Sequence, residues 1–258
     1  MKKKNFGTQS IWLCTMIFLA GIMLVFTLSG CDLIFGDPDD PDNPGVTGNE
    51  IDNAWLAANN WTIGKPFQTS SYTVSSVLTV PEERTLTIMP GTTISFTTTG
   101  SGITVQNGGT IKAEGLPILL NAQGENIGIT SGRIILKNSV VGGKWGGILI
   151  HSPTPNELSY VDISKGGSGT YTYSSALYLR GCNVSISNST IDDSGSNGIT
   201  LYSNASLNLN TVSISNNARY GVYYESSSGP TLTHSGVTFS SNTLGNFWNG
   251  TTASDTLP

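Results

Sequence analysis

The sequence predicts an all-β solenoid of parallel coils, and three observations lead there. One pattern recurs four times between Asn156 and Trp248: NELSYVDI, VSISNSTI, LNLNTVSI and LTHSGVTF, each followed by a turn and a short third run, ALYL, GITL, GVYY or GNFW. The octets end in Ile163, Ile191, Ile214 and Phe239, a repeat of about 23–28 residues, the length of one coil in a stacked β architecture. Within an octet, apolar residues fall at the first, third, sixth and eighth positions, as in Leu207, Leu209, Val212 and Ile214. The alternation of period two therefore slips by one residue midway, as it does where a strand turns a corner. The slip coincides with the turn-forming pairs Ser187-Asn188, Asn210-Thr211 and Ser235-Gly236,.

Each pass thus reads as strand, corner, strand, turn and third strand. Three strands closing one coil make a short, single-stranded right-handed parallel β-helix. Its predicted inward residues are Leu158, Val161, Ile163, Leu177, Leu179, Ile186, Ile191, Ile199, Leu201, Leu209, Val212, Ile214 and Val222. On these passes, and on LTIMPGTTISF further upstream, the chain from Tyr72 to Trp248 resembles the right-handed parallel β-helix repeat proteins of pectate-lyase-like shape, including lipoproteins of that fold. The resemblance implies a fold and leaves activity open, because this fold hosts many functions.

Composition agrees. A chain of 258 residues with 37% hydrophobic content is long enough for one sizeable core, and its 31 glycines and 11% charged residues suit a turn-rich β protein,. Regular apolar alternation argues against a disordered low-complexity chain. The net charge is −5, and no basic stripe interleaved with aromatics occurs, so nucleic acid is a poor partner,.

Residues 1–30 read as a secretory leader: a Lys2-Lys3-Lys4 head, an apolar run from Ile11 to Leu28, then small residues before a cysteine,. Leu28-Ser29-Gly30-Cys31 resembles the bacterial lipobox. That resemblance implies cleavage before Cys31, lipidation of Cys31, and attachment to a membrane of the bacterial cell envelope, facing the periplasm or the cell surface. The competing reading is an uncleaved spanning anchor, since the apolar run approaches spanning length. Residues 31–50 form an acidic tether rich in Pro, Asp and Gly, about 25 Å long as a loose coil and about 65 Å when extended. Residues 51–71 are expected to cap the solenoid, with Asp52 or Asn53 capping a short helix and Trp55, Leu56 and Trp61 covering the open end,. The β-helix is expected over 72–250. The first coils come from YTVSSVLTV, TLTIMPGTTISF, GITV, GTIKA and LPILL, and one more coil with a loop from the less regular stretch around Ile127, Ile129, Ile134, Ile135 and Leu136. Residues 251–258 remain as a tail.

Chemistry is sparse. Asp192-Asp193 resembles the paired aspartates of the polygalacturonases, yet the neighbouring passes place Ser164-Lys165, Ser215-Asn216 and Ser240-Ser241 at those positions, and that family's other motifs are absent. A solvated turn pair is the preferred reading. Glu157 stacks with Ser185, Asn208 and Thr233, and Asp162 with Thr190, Ser213 and Thr238, so each acid stands alone in its column. No catalytic residue, metal site or cofactor is assigned on this basis. With two histidines, His151 and His234, no zinc set is available,. Cys182 is the one cysteine outside the leader and lipobox, and reads as a buried structural thiol,.

The candidate binding residues lie on the outward face of the third strand. Aligning GGILIH, SALYLR, NGITLY, YGVYYE and LGNFWN sends Leu149, Tyr178, Thr200, Tyr223 and Phe247 outward in one column,. A second column holds His151, Arg180, Tyr202, Glu225 and Asn249. Aromatic faces beside polar side chains suit sugar rings. The sequence therefore points to a non-catalytic envelope or surface lipoprotein that binds glycan or another macromolecule. A polysaccharide lyase or hydrolase of this fold, or a purely structural envelope protein, stands as the alternative. The last coil, Thr231 to Trp248, is expected to be the weak end and a place of weak self-association, because His234 and Asn246 take inward positions there and the tail is short,.

Overall fold

A computed structural model describes residues 49–118, 124, 132–139, 142–168, 175–225 and 229–258. The leader, Cys31 and nearly all of the tether lie outside the described residues. The chain opens with helix α1 (Asn53–Ala58), where the Asp52 carboxylate accepts from Trp55 N at 2.7 Å. Leu56 is buried, and Trp55 and Trp61 pack against the core beside it. The short cap expected from the sequence is present.

Coils follow at once. The first is β1 (Thr62–Ile63), β2 (Ser70–Val74) and β3 (Val77–Val80), and the second is β4 (Thr85–Ile88), β5 (Thr92–Phe96) and β6 (Gly102–Val105). Coil strands thus begin within the segment expected to serve as the cap. The third coil is β7 (Thr110–Glu114), β8 (Ile134–Asn138) and β9 (Ile148–Ile150), and the fourth is β10 (Pro155–Ser159), β11 (Val161–Ser164) and β12 (Ser175–Arg180). In the fifth and sixth coils the first two strands run together across the corner, as β13 (Asn183–Asp192) with β14 (Asn197–Tyr202), and β15 (Ser206–Ser215) with β16 (Tyr220–Tyr224). The seventh is β17 (Thr231–Ser235), β18 (Thr238–Ser240) and β19 (Gly245–Trp248), after which β20 (Ala253–Ser254) turns back on β19.

Each strand pairs in parallel with its equivalent one coil away, giving one long sheet from the first two strands of every coil and a second from the third strands. We call these sheet A and sheet B. Ile134 to Leu136, expected to open a further coil, instead belong to β8, the second strand of the coil that β7 begins; Ile127 and Ile129 lie outside the described residues. The interior is a column of aliphatics, and every one of the thirteen inward residues predicted above is buried to 1% or less. Two flat side chains interrupt it: Phe96 and Trp145 stack at 3.9 Å between centroids with their planes 3° apart, and Trp145 Nε1 donates to Ser164 O at 2.8 Å.

The corners explain the phase slip. Tyr160, Asn188, Thr211 and Gly236 occupy one stacked column and all have a left-handed backbone, with φ of 51, 50, 58 and 63°. That conformation reverses the side on which the next residue projects, so the inward set resumes one residue late. A second left-handed column, Lys165, Asp193, Asn216 and Ser241, turns each coil out of sheet A. Just beyond it runs a buried amide ladder. Ser194 N donates to Asn217 Oδ1 at 3.1 Å, and Asn217 Nδ2 donates to Asn242 Oδ1 at 2.8 Å. Backbone that turns inside the solenoid is thereby satisfied without water.

Candidate functional site

Sheet B carries the aromatic face, and its register decides which rings face out. Tyr178 pairs with Leu149 and Thr200, Thr200 with Tyr223, and Tyr223 with Trp248. The last step departs from the sequence alignment by one residue. Phe247 pairs with Val222 and points inward, only 3% exposed, while Trp248 takes the outward place. The amide ladder causes the shift. Asn217 and Asn242 stack, Tyr220 and Gly245 follow each by three residues, and the two glycines Gly221 and Gly245, equivalent in the sequence alignment, are not partners. Asn246 accordingly lies beside Gly221 and replaces no aliphatic. Asn249 leaves the second column as well: its side chain accepts from Thr251 N and Thr252 N and turns the chain into β20.

The other predicted site residues are placed as follows. Tyr178 projects outward as expected but is only 9% exposed. Its register partners in the ladder are Leu149 and Thr200. His151 is exposed, and Arg180 follows it in the same column with its guanidinium 5.9 Å from the centre of the Tyr202 ring. Tyr202 is 39% exposed, the most open aromatic of this face among the described residues. Tyr223 is half-buried, and its hydroxyl lies 3.4 Å from Glu225 Oε2.

Two residues that the sequence reading passed over complete a cluster. Tyr220 lies 5.5 Å from Trp248 and 6.1 Å from Tyr223, and Tyr223 lies 6.3 Å from Trp248 with planes only 15° apart. Tyr220, Tyr223 and Trp248 are all half-buried. Burial first, then the Glu225 carboxylate, holds the Tyr223 phenol above its usual range, with the Trp248 indole N–H and Arg219 acting the other way. The indole N–H is itself buried and lies toward the Tyr223 hydroxyl, but too far for a hydrogen bond of normal geometry,. Exposed Arg219 precedes Tyr220 and adds a cation to the rim. The amide ladder was the signal in the sequence that could have found Trp248.

The acids are less isolated than their columns implied. Asp162 receives Arg133 from the coil below in a two-point ion pair, Nε to Oδ2 at 2.8 Å and Nη2 to Oδ1 at 2.6 Å, while Arg133 Nη1 donates to Asn188 O. Asp193, left-handed in its turn, is bound by Lys144 at 2.6 Å. Burial first, then the charges of Asp193 and Asp162, pushes the Asp192 carboxyl upward, and Lys144 and Lys165 oppose it. Glu157 pairs across the ladder with Lys112, and its carboxyl meets that of Glu114 in a shallow groove lined by Leu158, Ser159, Ser185 and Ser187. Glu114 pairs with Ser159 in the ladder and so reaches Glu157 from outside its column. Among the described residues, no group of three or more His, Cys, Asp or Glu side chains is placed to hold a metal ion. Cys182 is buried, and burial pushes its thiol up to about 12.

A hydrogen bond in which protonated Glu114 donates to Glu157, then burial and the Glu157 charge, raises the Glu114 carboxyl, with Lys112 opposing. A carboxyl raised on folding binds more protons in the native state. Its contribution to stability is therefore complete below the unfolded-state value and is lost as pH rises through the folded one. Asp192 has the same sign. Thermal midpoints measured from about pH 4 to pH 7 are expected to fall less steeply in Glu114→Gln than in the wild type, with the variant the more stable at neutral pH. An unchanged slope would show that the two carboxyls do not interact.

The fold defined by these strands is the parallel β-helix. A family model described as "Right handed beta helix region" matches residues 87–244, and the chain belongs to that family. No curated protein and no solved structure matches it.

Proposed function

We propose that this chain is a non-catalytic lipoprotein of the bacterial cell envelope whose β-helix binds glycan on the outer face of sheet B, at the Tyr220, Tyr223 and Trp248 cluster. The observation that carries this reading is the grouping of three aromatic rings within 5.5–6.3 Å of one another. A pyranose has an apolar face for such rings and hydroxyls for the Tyr223 phenol and Glu225 carboxylate beside them,. Tyr202 with Arg180, and His151, extend the surface along the neighbouring column. Screening the protein against immobilised neutral and acidic glycans, with Tyr223→Ala as the control, tests the reading. Retained glycans that the variant also retains would move binding away from this cluster.

The anchor belongs to the same reading. Leu28-Ser29-Gly30-Cys31 supports lipidation at Cys31, and more than one acyl chain makes such attachment stable,. Cells fed labelled palmitate are expected to label the wild type and not Cys31→Ala. Label on the variant would defeat the proposal.

A catalytic reading, as a polysaccharide hydrolase or lyase, finds its best support in the Glu114 and Glu157 pair. Glu157 raises the Glu114 carboxyl, and Lys112, the register partner of Glu157, lies beside the pair. The acids at the corner are engaged by Arg133 and Lys144. Binding without turnover is the better account of these residues.

A further inference from the structure

We propose that the open edge formed by β17 and β18 pairs, antiparallel, with the same edge of a second copy of this chain, closing a two-fold dimer. The solenoid's other boundaries are finished. At the N-terminal end Glu50 bridges Thr73, Ile51 N donates to Thr73 O, and α1 lies over the first coil with Leu56 buried beneath it. At the C-terminal end of sheet B, β20 takes the edge of β19, pairing Phe247 with Ser254 and Trp248 with Ala253. The tail then crosses the bore, where Leu257 packs against the core and the Pro258 carbonyl meets His234 Nε2 at 2.9 Å. Among the described residues this cover lies on sheet B and the bore.

Sheet A has no such finish. Among the described residues, β17 and β18 each pair only with β15. Thr231 N donates to Ala205 O and Ser240 O accepts from Asn216 N, so the backbone of those residues faces β15. Alternation turns the N–H and C=O of Leu232, His234 and Phe239 to the open side. Exposed edges are ordinarily blunted by Lys, Pro or an inward charge. Neither Thr231–Ser235 nor Thr238–Ser240 contains Lys, Arg, Asp, Glu or Pro. Beside this edge the last apolar layer is incompletely covered: Leu232, Val237 and Phe239 are half-buried and Leu244 is 47% exposed.

These features also choose the occupant. The uncharged edge lets two acidic chains meet without repulsion, and each copy supplies both the free backbone groups and the uncovered apolar layer. Head-to-tail stacking would need a free N-terminal end, and α1 closes it. Same-end pairing is self-complementary and stops at two.

The test uses the full chain in a non-denaturing detergent, by sedimentation equilibrium matched to the detergent density. The wild type is expected to reach twice the chain mass. His234→Pro removes an N–H that faces the open side, a place where an edge strand tolerates proline, along with the side-chain contact to the Pro258 carbonyl, and is expected to weaken dimerisation at least about tenfold. Thr233→Lys sets like charges against each other across the pairing, and weakens it as well even if the proline variant does not fold. A wild-type monomer at the highest attainable concentration overturns the proposal, as does a dimer indifferent to both substitutions.

Discussion

Trp145→Ala is expected to destabilise the β-helix by about 3–5 kcal/mol, the range for losing a fully buried large aromatic. Trp145 is 0% exposed and lies flat on Phe96, and its indole N–H donates to Ser164 O. It also ties three coils by backbone: Trp145 N donates to Lys165 O, Gly146 N to Ser101 O, and Ser168 N to Trp145 O. Truncation leaves a ring-sized void that aliphatic neighbours held in parallel ladders cannot collapse to fill, and strands a buried carbonyl. Urea unfolding of the wild type, Trp145→Ala and Trp145→Phe measures it. The phenylalanine variant keeps the stack and loses less. A cost below about 1 kcal/mol for alanine, at the exposed-site end of mutational effects, would contradict this account of the core.

How the fold was legible follows from the same physics. A solenoid repeats its environment every coil, so one inward position repeats in sequence as Ile163, Ile191 and Ile214, and in space as one stacked row. The left-handed corners at Asn188 and Thr211 wrote themselves as a slip in alternation, which a turn-forming pair then located. Where the repeat is broken the sequence loses that redundancy. β7 and β8 belong to one coil although residues 115–133 intervene, and nothing in Ile134 to Leu136 alone says which strand they form.

The site was less legible because surface register depends on buried polar contacts. Matching Gly221 to Gly245 put Phe247 outside and hid Trp248. Matching Asn217 to Asn242 does the reverse, since a buried amide must meet another amide while a glycine can sit anywhere its backbone fits,. Exposure was harder still. Tyr178 and Tyr223 share one column and one projection, yet Tyr178 is buried and Tyr223 is half-open. The acids show a similar limit: Arg133 reaches Asp162 and Glu114 reaches Glu157 from the coil below, diagonals that a row-by-row comparison of the octets does not contain.

The second large effect separates neighbouring residues of one strand. Trp248 faces outward in the ring cluster, and Phe247 faces inward, 6.0 Å from Tyr224 and packed on the core. Trp248→Ala is expected to reduce glycan affinity by about ten- to a hundredfold, the loss typical of a central aromatic anchor, while moving the melting temperature little. Phe247→Ala is expected to cost about 3 kcal/mol or more of stability and, below its melting temperature, to leave affinity unchanged. Isothermal titration of the two variants with a glycan retained in the screen, alongside their thermal melts, tests the central claim most directly. Binding lost in Trp248→Ala and stability lost in Phe247→Ala is the predicted result; affinity preserved in Trp248→Ala would contradict a binding face built on the C-terminal coils of sheet B.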